Sequence, residues 1–156
     1  MSIGVRPARE ADVPEMSRVL IASITELCIA DHANDAATIA AWTANKSEPG
    51  LREMLASPDI ELHVAERGGQ VVAVGALSGA SITLNYVDPS CRRMGVSRVL
   101  LAALEEILAH GGIRLATLRS TATARNFYLS QGWVADQPTP RGRFITAHPM
   151  HKILGR

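Results

Sequence analysis

Hydrophobic positions along the chain change period twice, which divides it into helical and extended stretches. Ile3 to Arg6 form a short apolar start that ends at Pro7. Val13, Met16, Val19, Leu20, Ile24 and Leu27 then recur at helical spacing, so an amphipathic helix is expected after Asp12. Asp12, Pro14 and Glu15 have the pattern of its cap and first turn. Ile29 to Asn34 are polar and turn-like. Asp35 to Asn45 predict an alanine-rich second helix carrying Trp42, and a third short helix runs from Ser47-Glu48-Pro49 to Ser57-Pro58.

The period then falls to two. Ile60, Leu62 and Val64 alternate with Glu61, His63 and Ala65, the pattern of a half-buried strand on which Glu61 and His63 share one face. Gly68-Gly69 signals a hairpin, Val71 to Leu77 a second strand, and Ile82 to Val87 a third that stops at Asp88-Pro89. Short turns between the three imply an antiparallel meander. Helical spacing returns after Gly95, where Val96, Val99, Leu100, Ala103, Leu104, Ile107 and Leu108 make one apolar stripe that ends at Gly111-Gly112. Ile113 to Leu118 read as a strand, Thr121 to Gln131 as a helix and Gly132 to Ala135 as a short strand. Pro138 to Arg143 follow as a loop, and Phe144 to Leu154 as a last strand interrupted near Pro149. The expected fold is mixed α/β (α+β) in one domain over residues 1–156. A central sheet with an antiparallel first half is flanked by helices, with a strand-helix-strand crossover in the second half.

Composition narrows the function classes. Sixteen Lys+Arg against fifteen Asp+Glu give a net charge of +1, without the basic excess of a nucleic-acid or anionic-membrane binder. Cys28 and Cys91 are too few for a disulfide framework or a four-thiolate zinc site. His148 and His151 lack a third ligand, so no metal is expected. Neither a secretory signal nor a run of about twenty apolar residues is present, and a cytoplasmic location is expected.

One stretch concentrates chemistry. Leu84 to Val87 end a strand, Asp88-Pro89-Ser90-Cys91-Arg92-Arg93-Met94 form a basic loop, and Gly95 opens a long helix. The first helical turn offers unpaired N–H groups and the positive end of the dipole. Gly95 lets a ligand approach the main chain, and Arg92, Arg93 and Arg98 add cations, which together suit a diphosphate. A surface loop with solvated arginines satisfies the same pattern. No Gly-Lys-Ser/Thr follows, so it is not a P-loop.

Arg92-x-x-Gly95-x-Ser97 resembles the pyrophosphate-binding Gln/Arg-x-x-Gly-x-Gly/Ala loop of the GNAT superfamily of acetyltransferases. Ala124-Arg125-Asn126-Phe127-Tyr128-Leu129-Ser130-Gln131-Gly132-Trp133 is similar to that family's A-x-x-F-Y-x-x-x-G-F segment. The resemblance implies the family's mixed sheet and an acetyl-CoA co-substrate held by Asn85, Tyr86, Val87, Arg92, Arg93, Met94, Gly95, Val96, Ser97, Arg98 and Thr121. It also implies that the two middle strands splay, and that Tyr128 protonates the leaving sulfur. Residue by residue, Tyr128 reads equally as a core tyrosine beside Phe127. Ser97 stands where Gly or Ala is usual, Thr121 where many members carry Asn, and Ala116 where some carry a glutamate base. The base is therefore unassigned.

Two functions follow from the resemblance. One is an N-acetyltransferase acting on a primary amine, small or peptidic, by direct attack in a ternary complex. The other is a non-catalytic acyl-CoA-binding or regulatory module. A homodimer is left open, and no nucleic-acid or membrane partner is expected. Of the remaining residues, His32 beside Asp31 reads as an acceptor contact or base or, more simply, as a surface residue at a helix end, Cys91 as a thiolate favoured by the nearby cations or, more simply, as a bystander, and Trp42 and Trp133 as core residues.

Overall fold

A computed structural model describes residues 2–137 and 147–155. The chain begins with β1 (Ile3–Pro7), followed by α1 (Val13–Leu27), the single-turn α2 (Ile29–His32), α3 (Ala36–Thr43) and α4 (Glu48–Ala56). The meander β2 (Glu61–Arg67), β3 (Gln70–Ser78) and β4 (Ser81–Val87) follows. Then come α5 (Val96–His110), β5 (Leu115–Ser120), α6 (Arg125–Ser130), β6 (Val134–Ala135) and β7 (His148–Ile153). The seven strands form one sheet in the order β1-β2-β3-β4-β5-β7-β6. All neighbouring pairs are antiparallel except β4 and β5. This is the expected mixed sheet with an antiparallel first half. No helix among the described residues is long and apolar enough to cross a membrane.

Each face of the sheet has its own core. On one face Val13, Met16, Val19 and Leu20 of α1 pack with Leu51 of α4 against Leu62, Val64, Val74 and Leu84. On the other, Leu100, Leu104 and Leu108 of α5 meet Ala65, Ala73, Leu77, Ala116 and Leu118. β2 is consequently buried on both faces rather than half-buried, because α5 covers the side on which His63 and Ala65 lie. His63 Nε2 is 3.6 Å from Glu61 Oε2, so the two do share a face, but His63 is buried. Gly75 sets the spacing beneath α5. A Cβ there would stand 3.0 Å from Leu104 Cδ1 and 3.2 Å from Leu100 Cδ1, so both leucine ends would have to give way for any larger residue.

Several local expectations shift. Asp12 does not cap α1; it ends a 3-10 turn, Glu10–Asp12, and its carboxylate takes the Arg9 N–H and both ends of the Arg6 guanidinium. α1 has no side-chain cap at all. A missing cap costs about 1 kcal/mol. Val13, Met16, Val19, Leu20 and Ile24, all fully buried, outweigh it at about 1.5–3 kcal/mol each. Ser47 does cap α4, through the Gly50 N–H at 3.2 Å. The stripe of α5 runs through Val96, Leu100, Leu101, Leu104 and Leu108, whereas Val99 is exposed.

Thr121 to Ala124 form a turn before α6, closed by the Ala124 N–H on Thr121 Oγ1 at 3.0 Å, so the helix starts four residues later than its pattern suggested. β7 continues through Pro149. The Pro149 carbonyl accepts the Asp136 N–H beside β6, so the missing N–H faces the end of a two-residue strand and not the β5 ladder. The loop expected at Pro138 to Arg143 and the start of the last strand at Phe144 lie outside the described residues.

The Arg6–Asp12 pair makes a pH-dependent contribution. Hydrogen bonding from Arg6 is the main cause that holds the Asp12 carboxyl below its ordinary range, with the Arg9 N–H adding to it and burial opposing both. Its contribution is complete above the ordinary carboxyl value and is lost as pH falls through the lower folded value. Asp12→Asn should therefore cost about 1.5–3 kcal/mol near neutrality. The deficit should shrink as both proteins are acidified below about pH 4. Urea unfolding across that range checks it; a deficit that stays constant would mean the charge plays no part.

Candidate active site

The parallel contact between β4 and β5 spans two residue pairs, Ser81–Thr117 and Ile82–Leu118. The Ser81 and Thr117 hydroxyls, 2.6 Å apart, close that end. Beyond Ile82 the two strands share no ladder, and a cleft of about 410 Å³ opens between them. Its walls are the free edge of β4, the end of β5, the start of α5, the inner side of α6 and the end of α1.

The edge of β4 carries directional backbone groups. The Asp88 N–H donates to the Val72 carbonyl on β3, 2.8 Å away. Strand N–H groups alternate in direction, so those of Asn85 and Val87 point away from β3 into the cleft, while that of Tyr86 is turned to β3. Of Asn85, Tyr86 and Val87, only Asn85 and Val87 therefore present a backbone donor to the cleft.

Asp88 then shapes the corner. Its Oδ1 accepts the Ser90 N–H and hydroxyl at 2.9 and 2.8 Å, and its Oδ2 accepts from Arg18 of α1 at 3.0 Å. Burial raises this carboxyl, but the Ser90 donors and Arg18 outweigh burial and hold it below the ordinary range. The chain next passes through Arg93, at φ 64°, and Gly95, at φ 83°, two left-handed residues that curl the backbone into the start of α5. No side chain caps α5, and the position of a Cβ on Gly95 has nothing within 4 Å. The first-turn donors thus face open space. Arg92, Arg93 and Arg98 border the same region, and none has a carboxylate partner among the described residues. This cradle suits a diphosphate.

Tyr128 is buried among Phe127, Trp133 and the α5 core, yet it lines the cleft beside Asn85. Asn85 Nδ2 donates to Tyr128 Oη at 3.2 Å, which leaves the phenolic proton for a ligand. Burial pushes this hydroxyl up to about 12, with the Asn85 bond opposing it slightly. Burial, helped by Asp31, likewise pushes the Cys28 thiol up to about 12, and burial followed by Cys28 raises Tyr86 further. All three are uncharged at neutral pH.

Of the residues singled out in the sequence, the cleft gathers Asn85, Tyr86, Val87, Arg92, Arg93, Gly95, Val96, Ser97, Arg98, Thr121 and Tyr128. Met94 is not among them and stands half exposed. His32 is buried, not superficial. Its Nε2 donates to the Ile24 carbonyl at 2.8 Å and its Nδ1 accepts the Asn34 N–H at 3.0 Å, so neither nitrogen is free for catalysis. Trp42 is only half-buried and lies edge-on to His32. Ala116 is fully enclosed in the α5 core and supplies no base.

Three features were missed. Asp31 accepts the Ala122 N–H, the Thr123 N–H and the Thr123 hydroxyl at 2.6, 3.1 and 2.6 Å, clasping α2 to the turn before α6. Ser23, Leu27 and Cys28 line the cleft from α1, and Arg119 lines it from β5. Arg119 lay one residue beyond the strand expected at Ile113 to Leu118, whereas β5 runs from Leu115 to Ser120.

Residues 17–154 match the family model described as an acetyltransferase (GNAT) domain. The chain belongs to the GNAT family of acetyltransferases. The fold agrees with solved GNAT structures. A GCN5-related N-acetyltransferase from Rhodopseudomonas palustris superposes with a TM-score of 0.88 at 24% identity, covering 99% of this chain and 97% of that one. The PaiA N-acetyltransferase from Thermoplasma acidophilum, solved in complex with coenzyme A, gives 0.82 at 19% identity, covering 98% and 99%. No curated protein sequence matches the chain.

Replacing Arg92 and Arg93 together by Ala should weaken acyl-CoA binding at least about tenfold, since each charge-assisted contact contributes roughly 1.5–3 kcal/mol. Both side chains are exposed, so stability should stay within about 0.5 kcal/mol of the parent. Calorimetry beside thermal melting checks both; unchanged affinity would remove the loop from the site. Gly95→Val is a blunter probe, because a β-branched residue at φ 83° adds about 1–2 kcal/mol of backbone strain to any loss of binding. Its melting temperature should fall as well as its affinity.

Proposed function

We propose that the protein is an N-acetyltransferase that moves the acetyl group of acetyl-CoA to a primary amine by direct attack in a ternary complex. Family membership supports acyl-CoA-dependent acetyl transfer in general. One observation carries the finer reading: a buried tyrosine hydroxyl, its proton unclaimed, stands across the cleft from the inward N–H groups of Asn85 and Val87.

The diphosphate lies at the start of α5, on the first-turn N–H groups and beside Arg92, Arg93 and Arg98. The pantetheine arm and the thioester follow the open edge of β4, where a backbone N–H polarises the carbonyl and stabilises the oxyanion as the amine attacks. Proton balance is simple. A neutral amine loses one proton on becoming an amide, and the departing thiolate gains one.

Tyr128 serves the second half of that exchange. With a hydroxyl at about 12 and an ordinary thiol near 8.5, outright transfer from tyrosine to sulfur is uphill by about 5 kcal/mol. Tyr128 therefore stabilises the sulfur by a hydrogen bond and relays the proton that the attacking nitrogen gives up. Among the described residues no carboxylate lines the cleft and His32 is occupied, so none of them is assigned as a base. The amine must arrive neutral, and the rate should rise with pH through the pKa of the acceptor itself.

We propose a cytoplasmic location, which the free thiols Cys28 and Cys91 would suit. A non-catalytic acyl-CoA-binding module is the competing reading, and the missing base is the observation in its favour.

Tyr128→Phe separates the two. It should slow acetyl transfer about ten- to a hundredfold, the worth of one hydrogen bond to a charged group, with acetyl-CoA affinity nearly unchanged. Single-turnover kinetics on a responsive amine isolate the step. A phenylalanine variant with the parent rate would reduce Tyr128 to packing, and acetyl-CoA binding without turnover on any amine would favour the module.

A further inference from the structure

We infer that Arg119 selects the acceptor by holding a carboxylate carried on the same molecule as the amine. The inference rests on the transfer reading above and adds the class of amine. Along β5, Ala116, Leu118 and Ser120 are buried on the α5 side. Arg119 alternates with them and so projects to the opposite face, the side of α1, where it is exposed and lines the cleft. It is thus set apart from Arg92, Arg93 and Arg98, which surround the start of α5.

Among the described residues nothing neutralises it. Arg119 has no carboxylate partner among the described residues, and no Asp or Glu lines the cleft. Asp31, beside the cleft, has both oxygens committed to Ala122 and Thr123. A polyamine or a lysine-rich peptide would bring further positive charge to a cleft that already holds four guanidinium groups. An amine that also bears a carboxylate supplies the missing charge, in the planar form a guanidinium binds through paired hydrogen bonds.

The carboxylate can be that of a free amino acid or the acidic side chain of a short peptide acceptor, and matched amines tell them apart. Acetyl transfer is measured for the parent, Arg119→Gln and Arg119→Lys on an α-amino acid and its primary amide. The same is done on two dipeptide amides that differ by an acidic or neutral second residue. Comparing proteins on the same amine cancels differences in amine basicity. Arg119→Gln should lower kcat/KM about tenfold or more on the carboxylate-bearing amine through KM, leave its neutral counterpart unchanged, and be partly rescued by Arg119→Lys. A response of the free acid identifies the main-chain carboxylate, and a response of the acidic dipeptide identifies the side chain.

Calorimetric titration of the same acids into protein saturated with CoA gives a readout that needs no turnover. Arg119-dependent binding there without transfer to any amine keeps the inference and overturns the transfer reading. Transfer that is indifferent to Arg119, or reduced equally on acid and neutral amine, overturns the inference alone. Neither transfer nor Arg119-dependent binding overturns both.

Discussion

Two residue pairs between β4 and β5 decide where this sheet opens, and the site depends on that limit. Had the parallel ladder continued past Ile82 and Leu118, the edge N–H groups of Asn85 and Val87 would be spent on β5. Because it stops, they face a cleft instead, with α5 closing one end and α6 the other. The split needs support on both sides. Gly75 supplies part of it by letting Leu100 and Leu104 rest against β3, which fixes the start of α5 relative to the open edge. Arg18 and Asp88 supply another part, tying the corner after β4 to α1.

The electrostatics of the cleft are uneven in a way that suits its chemistry. Among the described residues its charged groups are all arginines, and Tyr86, Tyr128 and Cys28 are uncharged at neutral pH, with burial raising each further above its ordinary value. Such a lining attracts an anionic co-substrate while offering no internal carboxylate to compete for it. On the mechanism proposed above, such a lining leaves acid-base work to the reactants, with the protein providing donors and a relay.

Much of the architecture was legible because it is written in local patterns. The two-residue period of β2 to β4, the glycine-marked turns and the stripe of α5 each depend on neighbours in sequence. So did the basic loop before α5, whose arginines, glycine and helix start lie within seven residues. What escaped was tertiary. Asp12 looked like a helix cap until Arg6 was found on the same carboxylate, and His32 looked superficial until Ile24 and Asn34 enclosed its ring. His63 occupied a formally polar position of an alternating strand, yet α5 covers that face. The role of Asp31 rests on partners 91 and 92 residues away, beyond the reach of any local spacing.

That last separation has a consequence for the order in which the protein takes shape. The meander of β2, β3 and β4 joins neighbouring segments and needs only the first 87 residues to pair. The Asp31 clasp cannot close until Thr123 has been made and β5 has found its place. Contacts of such long range bear a loop-closure cost before they return any stability. On a ribosome, the antiparallel half can therefore condense first, and the wall that completes the cleft is among the last parts to lock. A nascent chain would thus have its sheet well before it has a pocket, and only the finished molecule can engage a nucleotide.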